Sequence, residues 1–302
     1  MRNSILRIFI WILGTSALLG NALVLLLRLK NSRIEKGKVQ GFLILNLAVS
    51  DLLMGVYMVI IGSADLRFRD VYILHAVDWE ASFLCRLAGV ISVLSSEVSV
   101  VMLVVISLDR FWCVTFPFKE ARLGTKSSRV VAAVAWTVML VVSVLPLLGL
   151  SYFADSFYGR TGVCLALPLT QDKLPGWEFS IAFFLFFNMV CFIVILVSYA
   201  GIYLSVRRSS RKVRSSRKSQ EAKMAGRMLL ILCTDFLCWM PVIIMGLMSL
   251  AGVLVIPSDV YAWTAVFILP LNSALNPYLY TIAALQLRNR RVGIKRNNFP
   301  RK

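Results

Sequence analysis

The sequence predicts an all-α membrane protein, a bundle of seven transmembrane helices with its N-terminus outside. Three observations carry that fold class. Seven apolar stretches each reach the roughly 20 residues needed to cross about 30 Å of hydrocarbon. Of the 302 residues, 59% are hydrophobic and the mean hydropathy is +0.78, whereas soluble domains are usually about 45–50% apolar. Basic residues alternate from loop to loop, clustering after the odd-numbered stretches. The predicted spans are Leu6–Leu27, Val39–Ile61, Leu84–Phe111, Val130–Leu150, Phe179–Tyr203, Ala225–Met248 and Tyr261–Ile282.

The charge pattern sets the orientation. Lys and Arg concentrate in Arg28 to Lys38, Lys119 to Arg129, Arg207 to Arg227 and Arg288 to Lys302. The alternate loops hold only Arg67, Arg69, Arg86, Arg160 and Lys173. Asp65, Asp70, Asp78, Glu80, Asp155, Asp172, Glu178 and Asp259 fall on that second side. By the positive-inside rule the basic side is cytoplasmic. The net charge of +18 is therefore an orientation signal and an attraction to anionic inner-leaflet lipid, worth roughly 1 kcal/mol per residue near the surface. It is not a nucleic-acid footprint. Of six cysteines only Cys85 and Cys164 fall outside, in an oxidising compartment, so a disulfide between them is expected. Cys113, Cys191, Cys233 and Cys238 are expected as reduced thiols, and no cysteine follows Ile282 to take a palmitoyl group.

Span one has some features of a signal peptide: Arg2 and Arg7, an apolar run, then small residues up to Ala22. The run continues to Leu27, too long for a signal core. Charged and amide side chains are costly in hydrocarbon, so each one inside a span marks a candidate functional position. Span two carries Asp51. Span three carries Glu97 and Ser99 and ends on Asp109-Arg110-Phe111. Span five carries Tyr199, for which packing and function are equal readings. Span six holds Asp235 and Trp239-x-Pro241, and span seven holds Asn272 and Asn276-Pro277-x-x-Tyr280. A proline inside a helix removes one backbone hydrogen bond and clashes with the preceding turn, so Pro241 and Pro277 are expected at kinks. A kink beside the Trp239 indole is a candidate two-state hinge.

Leu108-Asp109-Arg110-Phe111 with Pro117-Phe118, Asp51, Trp239-x-Pro241 and Asn276-Pro277-x-x-Tyr280, in this order from about Gly20 to Tyr280, resemble the class A (rhodopsin-like) G-protein-coupled receptors. Phe111 stands where the family usually has tyrosine or tryptophan. Cys233 to Pro241 (CTDFLCWMP), LPLNSALNPYLYT from Leu269 to Thr281, Ser95-Ser96-Glu97-Val98-Ser99-Val100, and Cys191 in place of a proline resemble the branch of leucine-rich-repeat-containing hormone receptors. Phe157-Tyr158-Gly159-x-x-Gly162-Val163-Cys164 and Phe116-Pro117-Phe118 look most like the relaxin-receptor type.

The resemblance implies a seven-transmembrane domain over 1–282. A short basic cytoplasmic tail follows over 283–302, with a short amphipathic helix after span seven. It implies a plasma-membrane receptor that converts binding of a peptide or protein hormone into activation of a heterotrimeric G protein, with Gs and cyclic AMP as the family's suggestion. Arrestin, a receptor kinase and membrane lipid are the further expected partners. It implies that Arg110 pairs with Asp109 and Glu221 until span six swings outward, and that Tyr199 meets Tyr280 in the open bundle. It implies a sodium ion among Asp51, Ser99, Asn272 and Asn276; the other reading is a protonated Asp51 that only holds helices together. Glu97 and Asp235 either hold an inactive packing through hydrogen bonds or are simply neutral, as burial favours for an unpaired carboxyl. The branch binds its hormone chiefly on a large repeat-bearing ectodomain. Span one begins almost at Met1 and the sequence has no Asn-x-Ser/Thr acceptor, so two readings stand: a longer polypeptide upstream, or a short receptor.

Other classes lack their chemistry. An opsin needs a span-seven lysine, and Tyr261 to Ile282 has none. Amine receptors carry a span-three aspartate where this chain has Ser92. The single histidine, His75, lies in the first outer loop and is expected as a loop contact, and no metal cluster or nucleophile elbow is evident, so an enzyme is not expected. The alternative function is an ion-conducting or transporting seven-helix protein with Asp51, Glu97 and Asp235 as a polar path. Arg207-Arg208-Ser209-Ser210, in the basic Ser205–Lys218 run, is either a kinase site or a merely solubilising segment.

Overall fold

The structure is a computed structural model, and it describes residues 3–30, 39–116, 123–153, 157–166, 174–209, 233–234, 236–257 and 259–278. Span one is the helix Ser4–Lys30, span two Val39–Arg67 and span three Phe83–Thr115. Span four is Thr125–Val144, closed by a tight 3₁₀ turn, Leu145–Leu147, at Pro146. Span five runs Trp177–Ser209 with a π-helical turn, Ala182–Phe187, near its outer end. Span six is described over Phe236–Leu250. Span seven starts at Asp259–Trp263, passes a second π turn, Thr264–Ile268, and continues as helix over 269–278. Among the described residues there is no strand, and the helices of spans one to five are each long and apolar enough to cross a membrane. Spans one, two, three and five extend past the predicted bounds, while span four starts earlier, at Thr125, and ends short of the predicted Leu150 at the turn Leu145–Leu147, where Pro146 cannot continue the helix.

The described spans pack side by side as a bundle. Span one lies on span two, two on three, and three on both four and five, while span one also meets the span-seven π turn through Phe9 and Phe267, ring centroids 4.8 Å apart. Span six joins span five through Phe192 and Phe236 at 5.9 Å. One buried cluster runs through the bundle interior, and the outward aliphatics such as Leu19, Leu26, Val197 and Leu237 stay exposed, as lipid-facing positions require.

The first outer loop departs from expectation. It lies outside the seven predicted spans, yet Tyr72–Ala81 is a helix. Ser82 turns the corner after it: its N–H donates to Trp79 O, and its hydroxyl accepts from the Cys85 N–H at 3.1 Å, capping span three. Ser is a favoured cap because its oxygen satisfies a free N–H of the first turn. A ten-residue helix between two long ones leaves little periodic signal of its own, so it was not legible. His75 lies on it, half exposed, 3.8 Å from Asp78. Glu221, Asp235, Tyr280, Ser210 to Lys218 and the predicted tail helix lie outside the described residues.

Candidate functional site

Asp51, in span two, has no exposed surface. Three donors reach its carboxylate. Asn276 Nδ2 donates to Oδ2 at 2.7 Å, Ser273 Oγ to Oδ1 at 2.9 Å, and Ser99 Oγ to Oδ1 at 3.4 Å. Spans two, three and seven therefore meet on one carboxylate. Asp51, Ser99 and Asn276 were expected together. Ser273 was missed; Asn272, its expected neighbour, is buried beside it. The LNSALNP run holds two polar residues side by side, and the sequence cannot say which faces span two when a π turn upstream has shifted the register. Asn21 braces this corner from span one, its Nδ2 donating to Ala17 O at 2.8 Å and Ser273 O at 3.0 Å. The close approach needs Gly20: a Cβ there would sit 2.9 Å from Pro277 Cγ. Ser95 Oγ donates to Ser50 O at 2.6 Å, and Trp136 Nε1 to Asn46 Oδ1 at 3.0 Å, tying spans three and four to span two.

Glu97 is also fully buried. Asn188 Nδ2 lies 3.1 and 3.3 Å from its two oxygens and 3.0 Å from Phe183 O. Asn188 directly follows the π turn Ala182–Phe187, so its side-chain amide lies over that turn's Phe183 carbonyl. The same amide thus satisfies the turn and the carboxylate. Sequence reasoning missed Asn188, although an amide within an apolar run was the available signal. Trp239 is buried, and Pro241 faces outward on span six.

At the inner end of span three Asp109 and Arg110 are both buried and paired. Arg110 Nε donates to Asp109 Oδ2 at 3.1 Å, and Nη2 reaches the same oxygen. Buried charges persist only when paired and hydrogen-bonded, so the pair is consistent with its burial. Tyr199 of span five is buried near Ser107, within the field of the Arg110 guanidinium. Phe111 lies close against span five at Gly201, where an added Cβ would sit 2.3 Å from Phe111 Cε2 and the ring would have to shift.

On the outer side Cys85 and Cys164 form a disulfide, Cα atoms 5.4 Å apart. Around it Tyr57 OH donates to Val163 O at 2.8 Å, Trp79 Nε1 to Gly162 O at 2.8 Å, and Tyr158 OH to Ser143 O at 2.6 Å. Phe157, Tyr158, Val163, Cys164 and Leu165 are buried, so this loop segment closes over the bundle, and burial pushes the Tyr158 phenol up. Peptide mapping without reduction should recover the Cys85–Cys164 cross-link. Cys164→Ser should lower stability by about 2–4 kcal/mol, the usual worth of a long-loop disulfide, read as a fall in Tm. An unchanged Tm would assign the loop's hold to its hydrogen bonds alone.

A helical bundle with one carboxylate joining spans two, three and seven, a buried Asp-Arg pair under span three and a disulfide-pinned outer loop defines a class. The chain belongs to the seven-transmembrane receptors of the rhodopsin family, which residues 20–280 match. It is 47% identical over 283 residues to "G-protein coupled receptor GRL101" of Lymnaea stagnalis, covering 94% of this chain and 25% of that one. It is 36% identical over 285 residues to relaxin receptor 1 of Homo sapiens, covering 93% and 37%. With the thyrotropin receptor of Mus musculus it shares 34% over 278 residues, 92% and 35% of the two chains. The chain thus spans well under half the length of these relatives. The hormone-receptor branch read from the sequence is the one these likenesses reach, and they give the transporter alternative no support.

Proposed function

We propose that this chain is the signalling domain of a plasma-membrane hormone receptor, acting as a receptor and not as an enzyme. Its ligand is a peptide or protein hormone, and its inner partner is a heterotrimeric G protein, Gs by likeness to the relaxin-receptor type. The observation that carries the reading is the buried Asp109–Arg110 pair at the inner end of span three. A cation held there by one carboxylate is a latch: an outward movement of span six frees a binding face, and a partner that binds the open state shifts the population toward it. Glu221 is the proposed second partner of Arg110, and Tyr199 and Tyr280 the proposed contact in the open state. Trp239, Pro241 and Pro277 supply the hinges. Arrestin and a receptor kinase would act on the same opened face.

The set around Asp51 fits a sodium ion in its donor chemistry. It offers a carboxylate and two hydroxyl oxygens, with the Asn276 Oδ1 buried and without a hydrogen-bond partner. Asp51, Ser99, Ser273 and Asn276 would hold the ion, with Asn272 alongside, and it would supply positive charge favouring the closed packing. The test of the whole reading is GTPγS binding to purified Gs by the wild-type chain in lipid nanodiscs. Exchange several-fold above that of empty nanodiscs is expected; exchange at the empty-nanodisc rate with Gs and every other G-protein class would overturn the proposal.

A further inference from the structure

The helix Tyr72–Ala81 between spans two and three carries an apolar face that none of the described residues covers. Ile73, Leu74 and Val77 are 84, 78 and 79% exposed. At 100° per residue these three positions fall within one 100° arc. The opposite side is fastened down. Trp79 is buried and donates to Gly162 O, its ring lies 6.1 Å from Phe68, and Tyr72 OH donates to Glu80 Oε1 at 2.9 Å. The outer loop also comes so close that a Cβ on Gly159 would sit 2.2 Å from Glu80 O. The helix therefore cannot roll its aliphatic face inward.

Its height is set by its neighbours. Four residues link it to Arg67 in the last turn of span two, and Ser82 alone links it to span three. Arg86 Nη2 donates to Ala81 O at 3.1 Å, and the Arg67 guanidinium lies over the Phe68 ring at 5.7 Å. Arginines at span ends sit at headgroup depth with their stems on apolar surface. Both ends of the helix are thus held at that depth. The exposed face continues the lipid-facing surface of the spans, through Leu66 at the end of span two and Phe83 and Leu84 at the start of span three, each more than half exposed.

We propose that this helix lies in the outer-leaflet interface, with Ile73, Leu74 and Val77 in the boundary between headgroups and acyl chains. Amphipathic helices bind membranes in this way, apolar face buried about 5–10 Å into that boundary. A protein partner is the less fitting occupant. Protein interfaces concentrate their energy in Trp, Tyr and Arg, with Leu and Val under-represented, and this face is aliphatic throughout. Acyl chains need no shape match. The outer loop, pinned to the helix by Trp79 and Tyr57, is thereby referenced to the membrane surface as well as to the bundle.

The test is power-saturation EPR on the full chain in phosphatidylcholine proteoliposomes. The exposed Cys233 is changed to serine, and Leu74→Cys, Val77→Cys and Asp78→Cys are labelled one at a time, with the unmutated Cys233→Ser chain as the background for the buried thiols. All three positions are highly exposed, so the label should not disturb the fold. Labels at 74 and 77 should collide with oxygen several-fold more than with the aqueous nickel reagent, and the label at 78 should show the reverse. Nickel access equal to oxygen access at 74 and 77 would place the face in water and overturn the proposal. Low access to both reagents would also overturn it, by showing a protein cover, whether a second copy or another polypeptide.

Discussion

Arg110→Ala should abolish G-protein activation, cutting nucleotide exchange at least about tenfold, equivalent to ~1.4 kcal/mol or more of lost coupling. The guanidinium is the one cation seen among the described residues inside the bundle at the inner end of span three, and Asp109 holds it. Removing it has a second consequence. Asp109 is left as a buried, unpaired carboxylate, and breaking a buried pair from one side costs about 3–5 kcal/mol. Loss of signal through misfolding must therefore be separated from loss of the coupling group. The double variant Asp109→Asn with Arg110→Ala removes both charges and should restore surface expression without restoring exchange. Cell-surface antibody binding and GTPγS exchange on the same membranes make the comparison. Exchange at the wild-type rate in either variant would make Arg110 a structural residue.

Asp51→Asn and Asp51→Ala should part company. In the alanine variant Ser99, Ser273 and Asn276 lose their common acceptor. A buried donor left without a partner costs about 1–3 kcal/mol, so surface expression should fall sharply. In the asparagine variant the shape is kept. The new amide puts a donor opposite the Asn276 donor, but Asn276 can turn over and present Oδ1, which is buried and lacks a hydrogen-bond partner. That variant should fold and lose the charge alone. If sodium is held there, basal exchange in wild type should be several-fold lower in sodium chloride than in N-methyl-D-glucamine chloride, and Asp51→Asn should show equal rates in the two salts. The effect follows because a ligand shifts a two-state equilibrium only by its differential affinity for the states. A sodium effect of the same size in the variant would leave Asp51 as a polar tie between helices.

Arg110 meets its neighbour in sequence, Asp109, whereas Asp51 is held by side chains 48 to 225 residues away. Hydrophobic length and loop charge are additive, local quantities. They determined that the chain is helical, that it crosses a membrane seven times, which side is basic, and that Asp51, Glu97, Asp109 and Arg110 sit in places that charge avoids without cause. The cysteine pair also followed from which side of the membrane each thiol occupies. The tertiary structure decided what those groups touch. Ser273 meets Asp51 and Asn188 meets Glu97 beyond π turns at Thr264–Ile268 and Ala182–Phe187, each of which rotates the helix that follows it by a residue's worth of register. The outer helix forms because Ser82 caps one end of the corner and the second outer loop, far along the chain, buries Trp79. Contacts of that range carry no periodic signature. A side chain's partner is fixed by the rotation and height of a neighbouring helix, and those come only from burying the whole set of apolar faces at once.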